Sequence, residues 1–255
     1  MDSKDYPILE FDPDKRSIIN PSDVITSIDV SEYCVICFFR DIVEKVAKSH
    51  NATAVFTDTG VYGTNSFYQF EHEGQPVVFF HPFVGAPMAS AFLEIAIGLG
   101  CKKFVAYGGA GVLDREILVG DLIVPTAAVR DEGVSYHYVA PGREIDVDKE
   151  TVDAIATTLK DHGERYRIAK TWTTDAIFRE TPSRVKLRRQ EGCLTVEMEA
   201  AALLAVAQFR NVKLGYILYG GDDVSGDEWD PRRDDSRVSV TEKLFWLSLD
   251  ACLKL

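Results

Sequence analysis

Thr195-Val196-Glu197-Met198-Glu199-Ala200-Ala201-Ala202 sets two carboxylates around a methionine, where a short extended segment turns into a helix. An ionised carboxylate accepts hydrogen bonds from hydroxyl donors, steadies positive charge and exchanges protons. The helix dipole also favours carboxylates at a helix start, so simple capping accounts equally well for the pair. A second acidic set, Gly220-Gly221-Asp222-Asp223, follows the apolar run Leu214 to Tyr219. The two sets either share one cleft at the ends of neighbouring elements or serve separately as a cap and a solvated turn. Gly108-Gly109-Ala110-Gly111 follows Lys103 to Tyr107 and reads as a tight turn at the carboxyl end of a buried strand, where ligands of α/β sheets bind. The pattern lacks the G-x-G-x-x-G opening into a helix that a dinucleotide needs.

Other reactive residues carry less. Cys34 and Cys37 lie inside the apolar run Cys34 to Phe39, and Cys101, Cys193 and Cys252 are scattered. An odd count without a second Cys or His pair at ligand spacing argues for core packing rather than zinc, redox chemistry or disulfides. His81, after the run Val77 to Phe80, and His137, in Ser135-Tyr136-His137-Tyr138, are expected to be structural, whereas His50, His72 and His162 sit in polar surroundings.

The elements that must position these groups alternate along the chain. Strand-like runs at Cys34 to Phe39, Val77 to Phe80, Lys103 to Tyr107, Leu122 to Val124 and Leu214 to Tyr219 suit strands buried on both faces. Pro87 to Gly100 starts with Pro and stops with Gly, as a helix does. Further helices are predicted over Asp148 to Leu159, from Thr181-Pro182 to Gly192, over Glu199 to Phe209, and from Val240 onward. Such alternation predicts one α/β domain around a parallel or mixed sheet, residues 30–255, after a polar leader, residues 1–29.

Composition narrows the partners. The chain has 255 residues, 46% of them hydrophobic, enough for one substantial core. Its formal net charge of −12 repels nucleic-acid backbones and anionic membranes. No apolar run reaches the length of a membrane span, and Met1-Asp2-Ser3-Lys4-Asp5 opens no secretory signal, so a cytoplasmic location is expected.

Three segments together resemble the nucleoside phosphorylase and nucleosidase superfamily, which includes uridine phosphorylase, hexameric purine nucleoside phosphorylase and adenosylhomocysteine-type nucleosidases. They are Val119 to Pro125, Ala128 to Tyr138, and Val196-Glu197-Met198-Glu199-Ala200-Ala201. The resemblance runs from about Val30 to the C-terminus and implies a single α/β domain whose mixed, partly barrel-like sheet is flanked by helices. It implies a nucleoside as substrate, no metal, no organic cofactor and a homo-oligomer. Glu197, Met198 and Glu199 would bind the ribose, with Met198 beneath the ring and Glu199 on the 2′ and 3′ hydroxyls. Asp222 would be the general acid that protonates a purine leaving group, with the neighbouring Asp223 one residue away. The Gln and Arg that read uracil in uridine phosphorylases fall on Thr181 and Ser183, so purines are favoured. Ile177 stands at the family's base-stacking aromatic, with Phe178 beside it as stacking or core residue, while Arg179 and Glu180 either reach the base or pair together.

The departures concern the acceptor of the ribosyl group. Where phosphorolytic members carry a Gly-Asp-Pro loop this chain has Phe38-Phe39-Arg40, and Ile42, Gly63, Ala106 and Gly109 stand at the other phosphate ligands. Dehydrating a dianion without compensating cations is unfavourable, so phosphate is a disfavoured partner and water the expected acceptor. Gly108, Gly109, Arg40 and Asp41 would form the acceptor site, Arg40 as the substitute cation or Asp41 as activator of the water. Phosphorolysis and a non-catalytic nucleoside-binding member are the alternatives.

Overall fold

The computed structural model describes residues 3–25, 30–232 and 237–255. Met1, Asp2 and positions 26–29 of the leader therefore lie outside the described residues. The chain forms α1 (Pro21–Val24), β1 (Tyr33–Cys37), α2 (Arg40–Ser49), β2 (Thr53–Gly60), β3 (Gly63–His72), β4 (Gln75–Phe80) and α3 (Ala86–Leu99). There follow β5 (Lys103–Val112), β6 (Leu122–Asp131), β7 (Glu144–Asp146), α4 (Lys149–Asp161), β8 (Tyr166–Thr174) and α5 (Pro182–Gln190). The chain closes with β9 (Cys193–Glu197), α6 (Ala200–Arg210), β10 (Lys213–Asp223) and α7 (Arg237–Cys252).

All strands belong to one mixed sheet, ordered β10-β6-β8-β9-β5-β1-β4-β3-β2, with β7 paired to β6. Because β10 also pairs with β5, the first five strands close into a ring. The remaining four extend from it as an open wing. The expected partly barrel-like mixed sheet is thus what the chain builds. The strands of the ring are buried on both faces: Val105, Ala106, Tyr107, Ile123, Val124, Ile217 and Leu218 have almost no exposed surface. Outside it, α7 packs on β5 and β1, α3 packs on α6, and α6 is buried from Ala200 to Ala207.

Helix boundaries follow the expected signals. Asp148 caps α4 by accepting from the Thr151 N–H, and Thr181 precedes Pro182 at the start of α5. The strands differ more. The glycine run after Tyr107 is no turn, since β5 continues through it to Val112. Likewise Gly220 to Asp223 lie in β10, which runs parallel to β5 from Lys213↔Lys103 to Gly220↔Ala110 and Asp223↔Val112. The five cysteines are buried and free, and the Cys37 Sγ contacts the Tyr107 hydroxyl at 2.8 Å. The leader is laid on the domain. Arg210 donates to the Lys15 carbonyl at 3.0 Å, and the Gly98 position is covered by Pro21 and Ile25.

Candidate active site

The carboxyl ends of β5, β9 and β10 open onto one cavity of about 320 Å³, a size suited to a small organic ligand. Gly108 and Gly109 form its floor on β5, Glu197 to Glu199 its wall after β9, and Asp222 its rim on β10. The floor is closely approached: a Cβ on Gly109 would stand 3.1 Å from the Tyr219 hydroxyl, a tight contact. The two acidic sets therefore share one cleft.

The structure divides the labour of the two glutamates. Glu197 Oε2 accepts from the N–H groups of Glu199 and Ala200 at 2.7 and 2.6 Å, and its Oε1 accepts from the Thr173 hydroxyl at 2.6 Å. Capping therefore explains Glu197. Glu199 sits at the N-cap of α6 but does not bond its own helix. Its Oε1 instead accepts the Gly85 N–H at 2.5 Å. Gly85 holds φ at +94° as it starts α3, a conformation that disfavours any side chain, and this aims its N–H at the cleft. The carboxyl lines the cleft, within reach of a ligand. Burial pushes the Glu199 carboxyl up to about 8, reinforced by the charge of Glu197, and pushes Glu197 up to about 7.

At the other end, Asp222 Oδ2 accepts the Trp229 indole N–H at 2.6 Å. Asp223 turns away: it is buried, pairs with Arg232 at 2.7 Å and accepts the Ser225 N–H. This removes the one-residue ambiguity in which aspartate faces the cavity. Glu180 also lines the cavity, and burial and the charge of Asp222 raise its carboxyl to about 7. Sequence reasoning noted Glu180 only as a partner for Arg179 or the base. Nothing in residue type marked it as a cavity wall, because the extended turn that swings it inward follows a single helical turn, Ile177–Arg179.

Several expected site residues stand elsewhere. Ile177 lines the cavity, but Phe178 is 95% exposed, outside both the wall and the core. Arg40 and Asp41 open α2, an element the sequence reading did not foresee, and neither lines the cavity. The Arg40 guanidinium lies over the Phe83 ring, 5.0 Å from its centre. In their place that side of the cavity is walled by Phe38, Phe39, Tyr216 and Tyr219, with Phe39 5.9 Å from Tyr219 and Phe38 6.1 Å from Tyr216. No Lys, Arg or His is among the described residues of this wall. His81 is buried against the Cys37 carbonyl at 3.1 Å, and burial lowers its basicity. His137 is exposed, and His50, exposed and 2.9 Å from the Ser49 hydroxyl, also packs against Phe70 and Trp246. Among the described residues no group of three or more Cys, His, Asp or Glu is placed to hold a metal ion.

A sequence model of the phosphorylase superfamily matches residues 32–245. The chain belongs to this superfamily. It is 25% identical over 178 residues to a guanosine phosphorylase of Halorubrum lacusprofundi, covering 68% of this chain and 73% of the relative. It is 25% identical over 191 residues to Escherichia coli uridine phosphorylase, covering 69% and 74%. The fold is that of Vibrio fischeri uridine phosphorylase (TM-score 0.75, 20% identity, 89% and 94% covered). It is equally that of a Campylobacter jejuni 5′-methylthioadenosine/S-adenosyl homocysteine nucleosidase (TM-score 0.72, 15% identity, 88% and 100% covered). A uridine phosphorylase and a nucleosidase thus share this fold.

Proposed function

We propose that this phosphorylase-superfamily chain cleaves the N-glycosidic bond of a purine nucleoside, with water as the ribosyl acceptor. The observation that carries the reading is a cleft with carboxyls at both ends and no cation in its described wall. Glu199, in the cavity wall, accepts from the ribose hydroxyls and opposes the positive charge that grows on the sugar as the bond to the base lengthens. Met198 and Glu197 complete the ribose side, Glu197 by fixing the turn that carries Glu199. At the other end Glu180 and Asp222 flank the base, and Ile177 offers an apolar edge. A purine is a poor anionic leaving group, so a carboxylic acid there lowers the barrier by protonating it. Gly108 and Gly109 floor the acceptor end, where the aromatic walls suit an uncharged nucleophile better than a dianion.

Phosphorolysis is the second reading, favoured by the phosphorylases among the relatives. Location in the cytoplasm and assembly as a homo-oligomer belong to the same proposal. A panel of purine and pyrimidine nucleosides assayed for free base tests the activity. Release from purine nucleosides supports it, and binding without release from any of them identifies a non-catalytic binding protein.

A further inference from the structure

Asp222 and Trp229 flank one loop, and a hydrogen bond joins them across it. The Trp229 indole N–H donates to Asp222 Oδ2 at 2.6 Å. The other oxygen, Oδ1, lies over β5: a Cβ built on Gly111 would stand 3.7 Å from it, and Gly111 and Asp222 both line the cavity. Trp229 is 62% exposed and is not part of the described cavity wall, so its ring reaches the carboxyl from outside that wall.

The loop is anchored so as to deliver this bond. Asp223 and Asp230 exchange backbone hydrogen bonds at 2.8 and 3.0 Å, which clasp the chain one residue after Asp222 and one residue after Trp229. The Val224 N–H donates to the Val112 carbonyl of β5 at 3.1 Å, and the Ser225 N–H to the Asp223 carboxylate at 2.8 Å. Arg232 closes the base of the loop by pairing with Asp223 at 2.7 Å and donating to the Ile117 carbonyl. The indole is a neutral donor. A cation in its place would favour the ionised carboxyl, whereas an indole N–H donates to a carboxylate and also to the carbonyl oxygen of a carboxylic acid.

We infer that Trp229 is a positioning residue for the proton donor: by keeping Oδ2 as an acceptor it places the acidic proton of Asp222 on Oδ1, over Gly111 and toward the leaving base. The inference rests on the reading of the cleft proposed above, with Asp222 as the carboxylic acid at its base end. In the step, the bond between C1′ and the base nitrogen breaks and its electron pair goes to the base. An acceptor nitrogen of the purine takes the Oδ1 proton, so that the base leaves neutral and Asp222 is left ionised. A water oxygen bonds to C1′ and releases its proton to solvent, from which Asp222 is reprotonated. Nothing is oxidised or reduced. The charge that arises on Asp222 strengthens the indole bond, so Trp229 favours the transfer without touching the substrate.

The test compares Trp229→Phe, Asp222→Asn and the double variant on inosine and on 4-nitrophenyl riboside, whose leaving group needs no proton. In a further variant 3-benzothienylalanine replaces Trp229, keeping the shape of the indole without its N–H. Circular dichroism and thermal unfolding confirm that each variant is folded. Both single replacements of Trp229 are expected to lose about 10- to 100-fold in kcat on inosine with KM within about 3-fold, and less than about 3-fold in kcat on the nitrophenyl riboside. Asp222→Asn loses about 100-fold or more on inosine, and adding Trp229→Phe to it costs less than about 3-fold further, because the indole acts through the carboxyl. Undiminished kcat on inosine in the benzothienyl variant overturns the inference, since the ring then matters only for packing the loop. Equal losses on both substrates overturn it, as does a Trp229→Phe loss that multiplies in full with that of Asp222→Asn, or undiminished inosine cleavage in Asp222→Asn. A wild type that cleaves neither substrate refutes the reading of the cleft and this assignment with it, whereas an active wild type beside unaffected Trp229 variants refutes the assignment alone.

Discussion

The Glu199 carboxyl accepts the Gly85 N–H, next to another carboxyl and almost wholly buried. Such a group binds a proton in the folded state that it has already lost in the unfolded one. Stability contributed by the raised carboxyls is therefore full below the ordinary glutamate value near 4.5 and is lost as pH rises through about 7 for Glu197 and about 8 for Glu199. Glu199→Gln removes one of these groups. The variant should melt higher than the wild type above about pH 8, by on the order of a few degrees, with the gap closing below about pH 5. A thermal-unfolding series across pH checks this, and a gap that widens toward acid would contradict it. The same variant should lose about 100-fold or more in turnover if Glu199 opposes charge on the sugar. Glu199 was legible in the sequence because Glu-Met-Glu at a helix start is specific. The division of work between Glu197 and Glu199 was not, because it depends on which backbone N–H groups each oxygen meets.

At the scale of elements, the main lesson lies in the glycines of β5 and β10. Glycine is poor in strands, and Gly108 to Gly111 and Gly220-Gly221 read accordingly as turns. In the closed ring these positions are where neighbouring chain approaches too closely for a side chain. A Cβ on Gly220 would lie 2.7 Å from the Leu118 carbonyl oxygen, while the Gly220 backbone exchanges hydrogen bonds with Asp121 and Gly120. Gly220→Ala should therefore cost about 1–3 kcal/mol, read as a lowered denaturation midpoint. An unchanged midpoint would mean that the strand is not clasped there. Other elements hid for different reasons. The β2–β3 hairpin exposes many of its residues and is rich in Thr, Asp and Asn, so its alternation is faint. The first turn of α2 bears Arg40 and Asp41 outward while Ile42, Val43 and Val46 face the core, a pattern masked by matching those residues to a loop. Where a cap signal was local, as at Thr181-Pro182 or Pro87 to Gly100, the sequence was sufficient.

The whole molecule sets the charge in which the cleft works. A chain of net charge −12 whose cavity wall holds no Lys, Arg or His among the described residues repels anions at a distance and offers them no cationic partner on contact. An uncharged nucleoside meets no such penalty. Nucleoside 5′-monophosphates should accordingly be cleaved with kcat/KM on the order of 100-fold below their parent nucleosides, a ratio that shrinks with added salt. Equal values for both would reveal a cation brought to the cleft. Fold and superfamily were legible because they rest on the alternation of elements and on Glu197 to Ala201. The acceptor chemistry rests instead on which side chains the β1–α2 turn places in the wall, and here it places Phe38 and Phe39 rather than Arg40 or Asp41. The most direct measurement is cleavage of inosine in phosphate-free buffer, with the sugar product separated as ribose or ribose 1-phosphate. The predicted result is base and free ribose in equal amounts, at a rate that millimolar phosphate leaves unchanged. A reaction that requires phosphate, saturates with it and yields ribose 1-phosphate would contradict the hydrolytic account.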